Sequence, residues 1–314
     1  MIDQPNGRPE RREIDIHPVM QLILIFVFVA ICCVIGYFIA DAIITSIYGA
    51  KTSADILTFN TENPHTVSAL WILQIASTTI PLFVAPVFFA KFIVRDTPTY
   101  LKAATKFPPV LLIFVFSIMF CTGPVLEFLS NINQQLALPS SLKNVEDALR
   151  SMEQSAQKAT EAMLQMNTLG DALWAVFVVG LLTAIAEEFL FRGAIQTMMQ
   201  KWTQNPHAAI WITAILFSAF HMEFFTFLPR VALGVFFGYF VMWSGSIWPS
   251  VWAHFLNNAT AVIAVYLYQQ KKTSFNPDDQ HVFNYQSYAL SLIIILILLF
   301  MYRNIAKGKS LLLS

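Results

Sequence analysis

Strongly polar side chains lie inside three long apolar stretches of this sequence, where they could carry out acid–base chemistry. The first stretch holds two adjacent glutamates and an arginine, the second ends on a histidine, and the third holds a histidine and an asparagine. An ionisable group within a membrane span costs at least about 2.5–3.5 kcal/mol, so such groups are functional candidates by default. A carboxylate beside histidines is suited to general-base hydrolysis. The residues are Glu187, Glu188, Arg192, His221, His254 and Asn258.

Helical spacing separates the roles of the two glutamates. Glu188 and Arg192 are four residues apart, so they lie on one face of a helix and can form an ion pair. Glu187 is rotated by about 100° from its neighbour and has no obvious partner on its own helix. The spacing therefore leaves Glu187 as the candidate general base.

Each of these elements also admits a structural interpretation when it is taken alone. The glutamate–arginine pair fits a buried ion pair, and a histidine at the end of a span fits the membrane interface. His254 and Asn258 project together from their helix and fit an interhelical hydrogen bond, whereas Asn257 points elsewhere without being wholly excluded. Three such elements on three separate spans are better explained by convergence in the core of a helical bundle.

The composition is that of a protein embedded in a bilayer. Of the 314 residues, 56% are hydrophobic and 12% are charged, whereas globular proteins average roughly 45–50% and 25%. Too little polar surface is left to cover a water-soluble globule. The net charge is zero, which excludes the basic stripe of a nucleic-acid-binding protein. The cysteines, Cys32, Cys33 and Cys121, show neither a disulfide framework nor a zinc-binding spacing.

The apolar stretches predict an all-α bundle of about eight transmembrane helices, because each span needs about 20 mostly apolar residues. Glu187 and His221 each lie roughly 20 Å from one end of their spans, and His254 lies only about 10 Å from the corresponding end. The three side chains meet only if the fourth and fifth helices project by about two turns. The predicted spans are 19–44, 67–92, 108–129, 172–199, 207–225, 229–242, 247–268 and 288–302.

An amphipathic helix outside the membrane is predicted near residues 141–167. Its apolar residues recur at spacings of three and four, and Pro139 with Ser140 or Ser141 is its expected start. The pattern fits a helix on the surface of the bundle or bilayer, and alternatively a lid or partner-binding helix. We treat residues 19–306 as one membrane domain with a motif-bearing core at 170–268, between an N-terminal tail (1–18) and a C-terminal tail (307–314). The apolar positions are Leu142, Val145, Leu149, Met152, Ala156, Ala159, Met163 and Met166.

The distribution of Lys and Arg favours both termini in the cytoplasm. Eight spans put the two termini on one side, and that side carries 11 basic residues against 7 on the other, leaving out Arg192. The 11 are Arg8, Arg11, Arg12, Lys91, Arg95, Lys102, Lys106, Lys201, Arg303, Lys307 and Lys309. The 7 are Lys51, Lys143, Arg150, Lys158, Arg230, Lys271 and Lys272.

The three motifs, in this order on separate spans, resemble those of the CAAX protease and bacteriocin-processing (CPBP, or Abi) family of intramembrane proteases. The Glu-Glu-x-x-x-Arg, Phe-x-x-x-His and His-x-x-x-Asn signatures of that family correspond to residues 187–192, 217–221 and 254–258. The resemblance covers about residues 170–268, including Gly-Ser-Ile-Trp-Pro at 245–249. It implies an all-helical eight-span core, as in the type II CAAX prenyl endopeptidases, with a cavity reached from the cytosolic side.

The resemblance also implies roles for the site residues. Glu187 and His221 would activate a water for attack on a peptide carbonyl, and His254 and Asn258 would stabilise the oxyanion. The second glutamate and the arginine of the first motif would shape the site. The resemblance implies no cofactor and no metal. The alternative chemistry is a zinc site with Glu187, His221 and His254 as three ligands and water as the fourth.

The expected partners are the lipid bilayer and a peptide or lipid-modified protein substrate, and the expected location is a bacterial inner membrane. Two other functions are compatible with a polar bundle core. A non-enzymatic bacteriocin-immunity or scaffold protein would use the same fold for binding. A proton-coupled transporter would use the buried carboxylate as a relay, but it predicts a repeat across the two halves of the chain, and the sequence shows none.

Overall fold

The computed structural model describes residues 16–58, 62–136, 139–277, 279 and 282–308, and every regular element among them is helical. Most of both predicted tails, with Arg8, Arg11, Arg12 and Lys309, lies outside the described residues. The α-helices are α1 (Pro18–Tyr48), α2 (Ala50–Leu57), α3 (Thr66–Val94), α4 (Thr97–Tyr100), α5 (Val110–Cys121), α6 (Gly123–Gln134), α7 (Lys143–Met163), α8 (Leu169–Thr203), α9 (Pro206–Phe220), α10 (Phe227–Ser244), α11 (Trp248–Gln269) and α12 (Tyr285–Ala306).

Five helical segments of the described chain are long and apolar enough to cross a membrane: α1, α3, α8, α10 with the turn before it, and α12. Helices α5 and α6 make a sixth if they are taken as one span bent by 46°. The chain is therefore a multi-pass membrane protein, but the predicted count of eight is not confirmed. The other two predicted spans are helical and weaker as spans, because α9 has only 15 residues and α11 carries a histidine and two asparagines.

The helical bundle has two ends, each named after a residue that lies there. The first is the Lys102 end. There the hydroxyl of Thr197 donates to the carbonyl of Tyr100 (3.2 Å), and the N–H of Ile247 donates to the carbonyl of Lys102 (3.0 Å). Thr197 of α8 is therefore level with the start of α11. The residues of α8 beyond Thr197 extend about 9 Å further. This is most of the projection of about two turns that this helix needs if Glu187 and His254 are to lie at the same depth.

The opposite end, named here the Asn133 end, joins α6, α10, α11 and the segment after α7. The side-chain amide of Asn133 donates to the carbonyl of Phe224 (2.8 Å), and the side-chain oxygen of Gln269 accepts from the N–H of Met166 (3.0 Å). Helix α9 begins at the Lys102 end and ends at the Asn133 end, so His221, which follows it, lies toward the Asn133 end.

The predicted amphipathic helix is confirmed as α7, which lies across the Asn133 end. A 3₁₀ turn (Ser140–Leu142) precedes it, and neither predicted serine caps it. Its apolar seam is buried only in part, since Val145 and Met152 are 49% and 48% exposed while Met166 is 2% exposed. Polar contacts hold the middle of the helix instead, because Glu153 accepts from the N–H of Phe225 (3.2 Å).

Small residues let α9 and α10 approach closely, as is common between membrane helices. An added Cβ at Gly234 would lie 2.9 Å from the Cβ of Ala214, and one at Gly238 would lie 2.8 Å from Cγ2 of Ile210. Both distances are shorter than real Cβ contacts allow. This close approach brings the backbone of α10 within hydrogen-bonding reach of the polar residues of α8.

Candidate active site

The two adjacent glutamates lie in α8 between two π-helical turns. Residues Thr183–Glu188 are α-helical, whereas Val176–Leu182 and Phe189–Ile195 are π-helical. Such wider turns occur frequently at functional sites, because they change the direction of side chains and release backbone groups from the helical ladder. Both glutamates are buried, with Glu187 7% and Glu188 0% exposed.

Glu188 is the centre of a buried hydrogen-bond network. Its Oε1 accepts from Nη1 of Arg192 (2.8 Å), which confirms the predicted pairing, and also contacts Nδ1 of His254 (3.0 Å). Its Oε2 accepts from the hydroxyl of Ser250 (2.5 Å). Two of these partners belong to α11, so Glu188 joins α8 to α11 as well as pairing within its own helix.

Arg192 has a second set of partners on α9 and α10. Its Nη2 donates to the carbonyl of Gly234 (3.2 Å). Its guanidinium carbon lies 4.4 Å from the ring centre of Phe217 and 5.1 Å from that of Phe237, distances at which a cation is attracted to an aromatic face. The arginine therefore ties three helices, α8, α9 and α10, together at full burial.

Glu187 has a different environment from its neighbour. Its Oε2 is buried and has no hydrogen-bond partner among the described residues. The same oxygen lies 3.8 Å from Nε2 of His221 and 3.8 Å from Nε2 of His254. The structure thus brings together one free carboxylate and two imidazoles from α8, the end of α9 and α11.

Hydrogen bonds orient both imidazoles toward Glu187. Nδ1 of His221 contacts the carbonyl of Phe217 (2.8 Å), and Nδ1 of His254 contacts Glu188. Carbonyl and carboxylate oxygens accept hydrogen bonds, so we assign a proton to each Nδ1. In the neutral rings Nε2 then carries the lone pair, and it is Nε2 that faces Glu187.

Phe217, the phenylalanine of the second motif, contacts both His221 and Arg192. Its carbonyl accepts from His221 one turn later, and its ring covers the guanidinium of Arg192. The spacing Phe-x-x-x-His follows from this geometry, because the backbone carbonyl of residue i and the side chain of residue i+4 meet on one face of a helix.

The structure places Asn258 differently from the other predicted site residues. Its Nδ2 donates to the carbonyl of Val179 (3.0 Å) in the first π-helical turn of α8, and its Oδ1 accepts from Asn257 (3.2 Å). Asn258 is therefore bonded to α8 two turns before Glu187, and no contact joins it to the carboxylate–imidazole group. Asn257 lines a largely apolar cavity of about 650 Å³ between α11 and the junction of α5 and α6.

Sequence analysis missed Ser250 and Phe237. Ser250 lies four residues before His254 on the same face of α11 and is fully buried, so the helical spacing could have identified it. Phe237 stacks on the ring of His254 with centres 5.1 Å apart, and it has no signal in an apolar helix that contains many aromatic residues.

The predicted zinc ligands do not form a metal-binding group in the structure. Among the described residues, no three or more His, Cys, Asp and Glu side chains are grouped so that they could hold a metal ion. Glu187, His221 and His254 nevertheless converge through Oε2 and two Nε2 atoms, and Nδ1 of His254 contacts Glu188. A histidine that binds a metal through one ring nitrogen usually donates from the other to a carboxylate, so zinc stays the alternative chemistry beside the glutamate mechanism.

Comparison with known proteins agrees with the resemblance carried by the three motifs. Residues 169–260 match the family model described as "Type II CAAX prenyl endopeptidase Rce1-like", and this range includes all six predicted site residues. A curated protein of Bacillus subtilis (strain 168), "Uncharacterized protein YpbD", is 27% identical over 106 residues, or 32% of this chain and 50% of that protein. The chain thus spans about half the length of this relative. No solved structure matches the chain.

Proposed function

We propose that this chain, whose helical core resembles the Rce1-like type II CAAX prenyl endopeptidases, is an intramembrane endopeptidase. It would hydrolyse a peptide bond of a membrane-associated or lipid-modified protein or peptide. The observation that carries the proposal is Oε2 of Glu187, which has no hydrogen-bond partner in the described part of the chain and lies 3.8 Å from Nε2 of both His221 and His254. Three proton-transferring groups facing one another inside an apolar bundle are suited to hydrolysis.

The nucleophile in this proposal is a water activated by Glu187 and His221. The separation of 3.8 Å between Glu187 Oε2 and His221 Nε2 is too long for a direct hydrogen bond, and it allows one water to contact both atoms. Glu187 takes the proton as the water oxygen attacks the peptide carbonyl. The same proton then passes to the leaving amine, so no covalent intermediate is required.

The negative charge that develops on the carbonyl oxygen requires donors. His254 serves as one when Nε2 is protonated, because Glu188 holds its Nδ1 and fixes the ring. The Asn258 amide has two N–H groups, of which one is bonded to Val179, and the other is our second proposed donor. A preorganised donor of this kind contributes about 2.7–4 kcal/mol to transition-state stabilisation.

Glu188 and Arg192 support the site in this proposal. Glu188 joins Arg192, Ser250 and His254, so it positions the imidazole of His254 without reaching the reacting atoms. The pair is neutral overall, which leaves Glu187 as the uncompensated carboxylate of the cluster. The two adjacent glutamates therefore have separate tasks.

The orientation in the membrane is part of the proposal. The Lys and Arg count favours cytoplasmic termini, and the Lys102 end holds the start of α1, because Ile25 packs in one cluster with Leu101. The side chain of His221 is 24% exposed, against 9% for Glu187, and His221 lies toward the Asn133 end. We propose that both termini are cytoplasmic. The side of the membrane from which substrate enters is a separate prediction, for which the resemblance implies the cytosol.

The test is cleavage of a quenched-fluorescent peptide by the full chain in liposomes. The probe carries a prenylated cysteine followed by three residues, and the control is the same peptide without the lipid. We expect the lipid-bearing peptide to be cleaved, and cleavage to persist with 1,10-phenanthroline, because Glu187 and His221 activate the water without a metal. Absence of cleavage would contradict the proposed function. If 1,10-phenanthroline abolishes cleavage and added zinc restores it, a metal mechanism replaces the glutamate mechanism.

A further inference from the structure

The position of His221 depends on the segment that follows it. Helix α9 ends at Phe220, so His221 has helix on one side only and is held there by its N–H to the carbonyl of Ser218 (3.2 Å). The next residue, Met222, has φ +56°, in the left-handed region that non-glycine residues rarely adopt. Such a conformation persists where the surroundings over-determine it.

Asn133 supplies that constraint from the last turn of α6. Its side chain is fully buried. Its Nδ2 donates to the carbonyl of Phe224 (2.8 Å), and its Oδ1 accepts from the N–H of Leu228 (2.6 Å). One amide thus bridges the two sides of the turn that leads from His221 into α10, and both its donor and acceptor functions are used.

Three further side chains hold the same turn. Oε2 of Glu153 on α7 accepts from the N–H of Phe225 (3.2 Å), and the guanidinium of Arg150 lies 3.7 Å from the ring centre of Phe225. From α9, the hydroxyl of Ser218 donates to the carbonyl of Phe227 (2.8 Å). The backbone groups of residues 224–228 are thus bound by side chains from three helices.

We propose that Asn133 is a positioning residue for His221, and that Glu153 is a second support for the same segment. By holding residues 222–228, they set the place at which the imidazole of His221 meets Glu187. Neither residue touches the reacting groups. The inference rests on the proposed function, because it gives Asn133 and α7 a part in catalysis that the three motifs do not contain.

The first test replaces Asn133 with leucine, which has a similar volume and cannot bridge the turn. We expect kcat to fall by about 10–10²-fold, because a displacement of about 1 Å costs this much in a positioned site. KM should stay within about twofold, since the substrate contacts are kept. Hydrogen exchange of residues 222–228 should rise in this variant while that of residues 183–195 stays unchanged.

The second test uses a matched pair at Glu153 on α7, the helix predicted to lie outside the membrane. Glu153→Gln keeps an acceptor for the N–H of Phe225, whereas Glu153→Leu removes it. Burial raises the pKa of Glu153. Both replacements remove its charge, so the difference between them reports the loss of the acceptor. We expect Glu153→Leu to lower kcat and Glu153→Gln to retain it, even if Asn133→Leu fails to fold.

These outcomes separate the inference from the proposed function. If neither wild type nor Glu187→Gln cleaves the peptide, the proposed function fails, and the positioning role fails with it. If Glu187→Gln is inactive while folded Asn133→Leu, or Glu153→Leu, keeps the wild-type kcat, only the inference is overturned. It is also overturned if exchange of residues 222–228 in Asn133→Leu equals that of wild type.

Discussion

Replacing Glu187 with glutamine should lower kcat/KM for peptide cleavage about 10²–10⁴-fold, the usual contribution of a general base. Glutamine has nearly the same shape as glutamate, but its amide cannot take a proton from water. Among the described residues Oε2 of Glu187 has no hydrogen-bond partner, so the substitution removes no hydrogen bond at that atom. The measurement is cleavage of the prenylated peptide in liposomes, together with an unfolding curve.

The matched control for this prediction is Glu161→Gln on α7. Glu161 is exposed and accepts a hydrogen bond from Gln157 on its own helix, so the same chemical change there should alter neither activity nor stability. If the Glu187→Gln variant cleaves at the wild-type rate, Glu187 is not the general base. Absence of cleavage by both the wild type and Glu187→Gln would instead favour the binding function of an immunity or scaffold protein, for which Glu187 is dispensable.

Replacing Arg192 with methionine should destabilise the protein by about 3–5 kcal/mol, the usual effect of removing one partner of a buried ion pair. The carboxylate of Glu188 would then be fully buried beside Ser250 and His254 without its cation. Methionine fills much of the same volume, so the loss reports the missing charge more than a cavity. The measurement is the free energy of unfolding in mixed detergent micelles.

The double variant Glu188→Gln with Arg192→Met is the control for this effect. Removing both charges should restore most of the lost stability, because well-packed neutral residues replace buried ion pairs at little cost. Activity should not return, since His254 loses the carboxylate that orients it. Equal stability of wild type and the single Arg192→Met variant would show that Glu188 does not depend on this pair.

The relation between Glu187, Glu188 and Arg192 could be predicted from the sequence because local helical geometry governs it. Four-residue spacing predicted the pairing of Glu188 with Arg192, and a neighbouring position left Glu187 free. These relations depend on one helix at a time. A charged residue in an apolar stretch is conspicuous in the sequence whatever the packing around it.

The contacts between helices could not be predicted in the same way. Ser250 and His254 reach Glu188 because of the register between α8 and α11, which no single helix reveals. Asn258 bonds the carbonyl of Val179, which lies in a π-helical turn, and ideal α-helical spacing contains no such turn. Similarly, the periodicity of the α7 sequence predicted that the helix packs through its apolar seam, whereas Glu153 binds it to the bundle through a polar contact.

The number of spans was the least predictable part of the fold. Helix α9 is short because the chain turns at Met222, so that His221 lies within the bundle, and α11 is less apolar because it carries His254 and two asparagines. Both departures from an ordinary span occur in helices that present site residues. Helix α9 is apolar but too short to count as a span, whereas in α11 the polar side chains weaken the hydropathy signal from which the spans are counted.

The central claim is that side chains from separate helices act on one water molecule, and a double-mutant cycle in kcat/KM tests it most directly. The variants are Glu187→Gln, His221→Ala and the two combined. If both groups activate the same water, the double variant should be about as impaired as the worse single variant, since residues that act as a unit are not additive. Losses that multiply would show that Glu187 and His221 act independently, and would contradict the account.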